Sequence, residues 1–419
     1  AHPALRRRAP RRALPEASDA MFGRAAPRQI NRVIVDLLLA CLSFNDLLKL
    51  RVLNHSWLNY VRSFPLRLDR YFRPARVREW KAKLGRKHEW NVTGIRIQDG
   101  VPGAALAEIV VPEELRFLQL SCLSLHSPMP GDLPDLGRLT SLETLHANDF
   151  LDLHSLDALV ACRRTLKHLI VKRCTFLNDV SAVADLPNLE SLELRDCRLV
   201  SDLAPLASCS RLRKLTISGL GRLSSVAPVV AQLLSLQSLH ISRCPLIERL
   251  DTISSLPLLR ELVLVQLPGL TAAPPDLARC ERLEAVALSS CADIVNITGL
   301  QGCRALRRLD LSNTAVKESS LTVLSSCAAL EDLDLSLCQY LASIMPLKEC
   351  AALRRLSLWK TRTVRSLAPL DWCRSLLWLD VTGLRRTAVG SCNWRRFHTL
   401  VCQDNEGVFA HREQLVCVD

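Results

Sequence analysis

No two of the 17 cysteines in this 419-residue chain stand at C-x-x-C spacing, so the usual zinc and dithiol arrangements have nothing to build on. Aromatic residues make up only 5% of the chain, and no RRM or KH signature is present, which leaves no recognised nucleic-acid module. The patterns G-x-x-x-x-G-K-[ST], G-x-S-x-G and H-E-x-x-H are all missing, and the ten histidines are scattered. The phosphate loop, the nucleophile elbow and the zinc-protease helix are thereby excluded, and the chain reads as non-catalytic, with no cofactor and no metal. A long apolar run of bilayer-spanning length is missing too, and no secretory signal pattern is visible, so no membrane partner is expected.

What is abundant is leucine at fixed intervals. The hexad L-x-x-L-x-L returns about twelve times, at a period of 23 or 24 residues from Leu142 to Leu376. It stands at Leu115-Leu118-Leu120, Leu142-Leu145-Ala147, Leu166-Leu169-Val171, Leu189-Leu192-Leu194, Leu212-Leu215-Ile217 and Leu236-Leu239-Ile241. It continues at Leu259-Leu262-Leu264, Leu283-Val286-Leu288, Leu306-Leu309-Leu311, Leu330-Leu333-Leu335, Leu353-Leu356-Leu358 and Leu376-Leu379-Val381, with a degraded copy at Phe397-Leu400-Cys402. This chain resembles the leucine-rich-repeat family over roughly residues 115 to 405. The expected fold class is α/β, a leucine-rich-repeat solenoid with a curved parallel sheet, preceded by a small all-α segment. Side chains alternate along a strand, so the fourth and sixth hexad positions form the inner wall. The third, fifth and seventh positions look out onto a shared concave face. Stacked at about 4.8 Å per coil, the ribbon is on the order of 55 Å long. So short a coil leaves room on the convex side for one helical turn or a 3₁₀ segment, helped by Pro205, Pro346 and Pro369.

Two finer regularities sit on the hexads. Cys197, Cys244, Cys291 and Cys338 lie 47 residues apart, as do Arg213, Arg260, Arg307 and Arg354, as if a two-coil unit had been duplicated. The second hexad position alternates in charge from Glu143 and Lys167 through to Glu331 and Arg354. That ladder reads as register control on a solvated edge, each exposed pair being worth roughly 0.2–1 kcal/mol. Cys174 and the four cysteines above occupy the ninth repeat position. Cys209, Cys280, Cys303, Cys327, Cys350 and Cys373 sit three residues before a hexad. Both positions face the core, where a thiol behaves as a small hydrophobe, and the expectation is reduced cysteines in a reducing compartment.

Charge is uneven. Residues 1–100 hold 21 Lys and Arg against 8 Asp and Glu, which accounts for the whole net charge of +13. Residues 1–29, rich in Arg, Ala and Pro, lack an apolar period and read as a disordered basic tail. Their Arg-rich, acid-poor composition also suits a mitochondrial targeting remnant, and Met21 is a candidate internal start. A cytoplasmic or nuclear address is favoured, with mitochondria as the alternative.

Residues 30–66 read as a helical hairpin. Asp36-Leu37-Leu38-Leu39 leads to Asp46-Leu47-Leu48-Lys49-Leu50-Arg51-Val52-Leu53, and Trp57 closes the run. The D-L-L-x-L stretch with its late tryptophan resembles the F-box family. That resemblance implies docking on a small ubiquitin-ligase adaptor, with Leu47, Leu48, Leu50 and Leu53 as the adaptor-binding residues. A plain helical cap for the solenoid is the competing reading. Residues 67–114 read as a basic helical linker and N-terminal cap, Val77, Trp80 and Leu84 forming one packed face. Arg73, Arg76, Arg78, Lys81, Lys83, Arg86 and Lys87 crowd the rest, a surface for the phosphates of RNA or for an acidic protein, or simply a solvated one. The solenoid takes residues 115–396, and residues 397–419 read as the degraded repeat and C-terminal cap.

On the concave face the outward positions lean basic in the earlier coils (His168, Lys172, Arg195, Lys214) and acidic in the later ones. His240, Asp310, Asp334, Trp359, Trp378 and Asp380 are the candidate partner-binding residues. The alternative for the two indoles is packing against a cap around Trp394 and Phe397. The order F-box then leucine-rich repeats implies a substrate-recruiting subunit of a cullin-RING ubiquitin ligase. A structural or assembly component of a large complex, anchored by the basic front, is the other reading.

Overall fold

The computed structural model describes residues 66–72, 92–98, 116–121, 139–150, 153–385 and 399–401. Among the described residues, fifteen strands form one parallel sheet in strict chain order. The early strands are β1 (Leu66–Phe72), β2 (Val92–Gln98), β3 (Phe117–Ser121), β4 (Thr144–Asn148) and β5 (His168–Lys172). The middle ones are β6 (Ser191–Arg195), β7 (Lys214–Ser218), β8 (Ser238–Ser242), β9 (Glu261–Val265) and β10 (Ala285–Ala287). The last are β11 (Arg308–Asp310), β12 (Asp332–Asp334), β13 (Arg355–Ser357), β14 (Trp378–Asp380) and β15 (Thr399–Val401). The register advances by one coil at each step, so that Leu239 pairs with Leu262 and Leu262 with Val286. The fold is the leucine-rich-repeat solenoid that the hexads imply.

The hexad pattern sorts burial as expected. From Leu142 to Val381, every first, fourth and sixth hexad residue is at most 3% exposed. Each fully buried aliphatic side chain stabilises by roughly 1.5–3 kcal/mol on transfer grounds. A parallel sheet needs its inner face covered, and convex residues such as Leu203, Leu206, Leu347 and Leu370 complete the same continuous core.

Each coil leaves its strand through the same turn. The eighth residue has positive φ in eleven successive coils: Asp149, Arg173, Asp196, Gly219, Arg243, Gln266, Ser290, Asn313, Leu337, Lys360 and Gly383. Only two of these are glycine, and each of the others costs about 1–2 kcal/mol of backbone strain. A hydrogen bond offsets that strain: the eighth N–H donates to the seventh carbonyl of the next coil, as from Asp149 to Lys172, Asn313 to Ser336 and Lys360 to Thr382. The turn drives the ninth residue inward. Cys174, Cys197, Cys291 and Cys338 then donate weak S–H bonds to carbonyls of the preceding coil, on Ala147, Val171, Leu264 and Leu311. A second thiol row, including Cys209, Cys280, Cys327 and Cys373, does the same to Val183, Ile253, Leu300 and Leu347. The twelve described cysteines are buried, and none of them is joined in a disulfide.

The convex side is made of short 3₁₀ segments, with one-turn α-helices at Ala227–Val230 and Glu318–Leu321. Pro205, Pro346 and Pro369 stand in the first turn of theirs, where a missing N–H costs nothing. Asp179, Asp202 and Asn296 each accept the N–H two residues on, and so start these turns. On the edge, the alternating ladder forms ion pairs at Glu143–Lys167, Arg260–Glu284, Arg307–Glu331 and Glu331–Arg354, all partly exposed.

One boundary differs from the sequence reading. β1 and β2 place strands at 66–72 and 92–98, from the last residue of the stretch read as a hairpin into the one read as a helical linker, so the sheet starts two coils before residue 115. The cause is visible in Val92-Ile95-Ile97, a hexad built from β-branched residues, whose Ile95 and Ile97 pair with Leu118 and Leu120. At the other end, β15 pairs Leu400 with Leu379, so the degraded copy adds a strand past residue 396. The F-box-like hairpin, the Val77-Trp80-Leu84 helix and the terminal segments lie outside the described residues. Among the described residues no helix is long and apolar enough to cross a membrane.

Candidate functional site

Because register is kept coil after coil, outward positions line up as rows across the strands. The third-position row over β9–β14 runs Glu261, Ala285, Arg308, Asp332, Arg355, Trp378. The fifth-position row runs Val263, Ala287, Asp310, Asp334, Ser357, Asp380. Between them lies a depression of about 410 Å³ whose lining includes Ala285, Ala287, Asp310, Asp334, Arg355 and Trp378. The two alanines of β10 leave the floor open where neighbouring strands carry larger side chains.

The acids of the fifth row are held by their own backbones. Asp310, Asp334 and Asp380 accept N–H bonds from Ser312, Ser336 and Thr382 at 2.8, 2.8 and 2.9 Å. The Ser336 hydroxyl bonds both the Asp334 carboxylate and Ser357 Oγ. Burial pushes the Asp334 carboxyl above its ordinary range, Asp310 and Asp380 add repulsion, and the bonds from Ser336 oppose both. Arg355 lies 3.7 Å from Asp332. The Trp359 indole carries the Lys360 ammonium over its ring at 4.3 Å, a cation–π contact on a half-buried ring.

The upstream half of the face is organised differently. Glu193, in the centre of β6, lies 2.8 Å from Lys172 and 2.5 Å from Arg195. Burial opposes its ionisation, but the hydrogen bond and charge of Lys172, with the charge of Arg195, outweigh it and hold its carboxyl below the ordinary range. His240 sits in the fifth row of β8, between Thr216 and Val263. Burial, then Arg195, pushes its imidazole down. Thr216, Ser218 and Ser242 are buried although they point to the concave side, with Ser242 donating to Ser218 and Arg243 reaching Ser218 as well. In this half the charged and hydroxyl side chains bond to one another.

Of the six concave residues expected from sequence, Asp310, Asp334 and Trp378 line the depression, while Asp380 lies two strands past Asp334 in the same row and Trp359 leaves β13 at the seventh position, beside Lys360. His240 stands three strands upstream of Asp310, beside the Glu193 cluster. Trp394 and Phe397, the alternative partners for the indoles, lie outside the described residues. So do Leu47, Leu48, Leu50 and Leu53, and the basic set Arg73, Arg76, Arg78, Lys81, Lys83, Arg86 and Lys87. Sequence reading passed over Ala285 and Ala287, whose small size creates the depression, and left Arg308 and Arg355 outside the site. Aligning the third and fifth positions of all coils exposes both. Among the described residues, no three His, Cys, Asp or Glu side chains converge as metal ligands.

No protein-family profile matches the chain, and no curated protein sequence is significantly similar to it. Solved structures match by shape. Internalin InlF of Listeria monocytogenes gives a TM-score of 0.50 at 18% identity, over 68% of this chain and 80% of its own. A leucine-rich-repeat protein of Leptospira interrogans gives 0.43 at 15% identity, over 72% and 87%. The functional domain of InlJ from Listeria monocytogenes, described as including a cysteine ladder, gives 0.45 at 14% identity, over 65% of each. The likeness to InlF, together with the parallel register and the buried hexads, establishes the architecture as a leucine-rich-repeat solenoid.

Proposed function

We propose that this protein is a non-catalytic protein-interaction scaffold whose partner lies on the concave face of β9–β14. The observation that carries this reading is the open, charged and tryptophan-walled depression there, whereas upstream Glu193 is paired with Lys172 and Arg195. Aromatic and arginine side chains around a concave surface are what interface hot spots use. The test compares Ala287→Arg, which fills the depression, with Trp372→Ala on the convex side, where the indole is 68% exposed. Loss of co-purifying proteins from the first variant and their retention by the second supports the reading. An unchanged set in the first variant overturns it.

The finer proposal is a substrate-recruiting subunit of a cullin-RING ubiquitin ligase in a cytoplasmic or nuclear reducing compartment. It rests on the Asp46–Trp57 sequence and on its order before the repeats. Leu47, Leu48, Leu50 and Leu53 are then the adaptor contacts, since short helices bind grooves through such spaced apolar anchors. Leu47→Ala with Leu48→Ala should abolish adaptor capture and leave the solenoid's melting transition in place. A wild-type protein that captures no adaptor removes this proposal. The basic front, 21 cations against 8 acids, favours a second reading: an assembly subunit anchored to RNA or an acidic protein, in a mitochondrial or other large particle. Stoichiometric co-purification with such a particle would select it.

A further inference from the structure

The two halves of the concave face treat their carboxylates in opposite ways. Glu193 is neutralised within its own face by Lys172 and Arg195. Asp310, Asp334 and Asp380 occupy the same fifth row and are half-buried. Among the described residues, no Lys, Arg or His lies within ion-pair distance of these three. Their bonds come from backbone N–H groups, joined at Asp334 by the Ser336 hydroxyl, all to Oδ1, and Oδ2 takes no part in those turns. Partly buried negative charge without a counter-ion costs free energy that an arriving cation returns. Beside the acids lies the depression, with an alanine floor and the wall of Trp378. That is apolar surface for a backbone and a ring for an arginine plane or a methylene stem.

Building on the concave-face reading, we infer that this groove takes an extended segment of a partner protein carrying two spaced basic residues. The segment runs across the strands. One cation sits between Asp310 and Asp334, which face each other in register, and the second reaches Asp380. Strands repeat at about 4.8 Å, so Asp380 lies about 12 Å from the midpoint of the first pair. Side chains four residues apart on an extended chain are about 13 Å apart, which selects Arg-x-x-x-Arg or its lysine equivalent. Arg308 and Arg355 on the rim repel an unbroken polybasic run, so spacing, and not total charge, sets the preference.

The experiment measures fluorescence anisotropy of fluorescein-labelled nonapeptides with the full chain. One peptide carries two arginines four positions apart in an alanine–serine background, one carries them adjacent, and one carries two glutamates. The spaced-arginine peptide should bind at least tenfold tighter than either control. Asp310→Asn with Asp334→Asn, which keeps the acceptors of both turns, should weaken it at least tenfold, while Glu284→Gln on the edge should not change it. If the double variant fails to fold, Ala287→Leu, which raises the floor, should give the same loss. Equal binding of the glutamate peptide, or an unchanged affinity in a folded double variant, overturns the inference. Tighter binding of a peptide of residues 1–15 of this chain overturns it as well, since the occupant would then be internal. Ala287→Arg separates the two levels: if it still loses its co-purifying proteins while no basic peptide binds, only the charge inference falls.

Discussion

Asp196 and Arg243 stand two coils apart and meet at 3.4 Å across Gly219. All three occupy the left-handed eighth position, and the pair is possible because the residue between them has no side chain. A Cβ on Gly219 would lie 2.3 Å from Asp196 Oδ1.

Gly219→Ala should therefore destabilise by about 1–2 kcal/mol, combining left-handed strain with a displaced, exposed ion pair. Urea denaturation reads it. In an Asp196→Ala background the cost should shrink to the backbone part alone. A substitution at Gly219 without effect in either background would show that the glycine is incidental.

Leu262 is fully buried between Leu239 and Val286. Leu262→Ala should cost roughly 2–5 kcal/mol. Leu262→Asp should cost more, because an unpaired carboxylate would enter the stacked core. Thermal melting checks both, and an unchanged transition in the aspartate variant would contradict the buried register.

Asp334 and Glu193 should give opposite pH slopes. Folding raises the Asp334 pKa, so in the window from the ordinary carboxylate pKa up to the raised one the native state holds more protons. Its contribution to stability is present at low pH and lost as pH rises. Folding lowers the Glu193 pKa, so its contribution is present above the ordinary glutamate pKa and lost as pH falls through the lowered one. At pH 7, Asp334→Asn should melt higher than wild type and Glu193→Gln lower. Both gaps should narrow toward pH 4, as followed by circular dichroism.

Burial pushes Cys162 and Cys209 up to about 11 and Cys303 and Cys350 up to about 12. The thiolate is the reactive form, so none of these four should be modified by a thiol reagent at pH 8 while the protein is folded. All four should be modified in denaturant. Mass spectrometry of labelled peptides reads the difference, and rapid native labelling of any of them would contradict the packing.

The leucine spacing by itself determined the coil length, the parallel stacking, the inward positions and the core placement of the cysteines. Those are local, periodic properties, and the alternation of side chains along a strand converts them directly into burial. Leu142 to Val381 could be assigned inward residue by residue. The reading weakened where the same role was filled by other chemistry. Val92, Ile95 and Ile97 serve as a hexad without leucine, and the first two coils were legible only once β2 paired with Phe117–Ser121 and β1 with β2. Only the tertiary structure decided which part of the outward face is open. That depends on differences between neighbours: Lys172 and Arg195 close over Glu193, whereas Ala285 and Ala287 leave a gap beside Asp310 and Asp334. A repeat pattern carries what every coil shares. A binding face arises from where adjacent coils differ, and those side chains meet only when residues 23 or 24 apart in sequence are stacked roughly 4.8 Å apart in space.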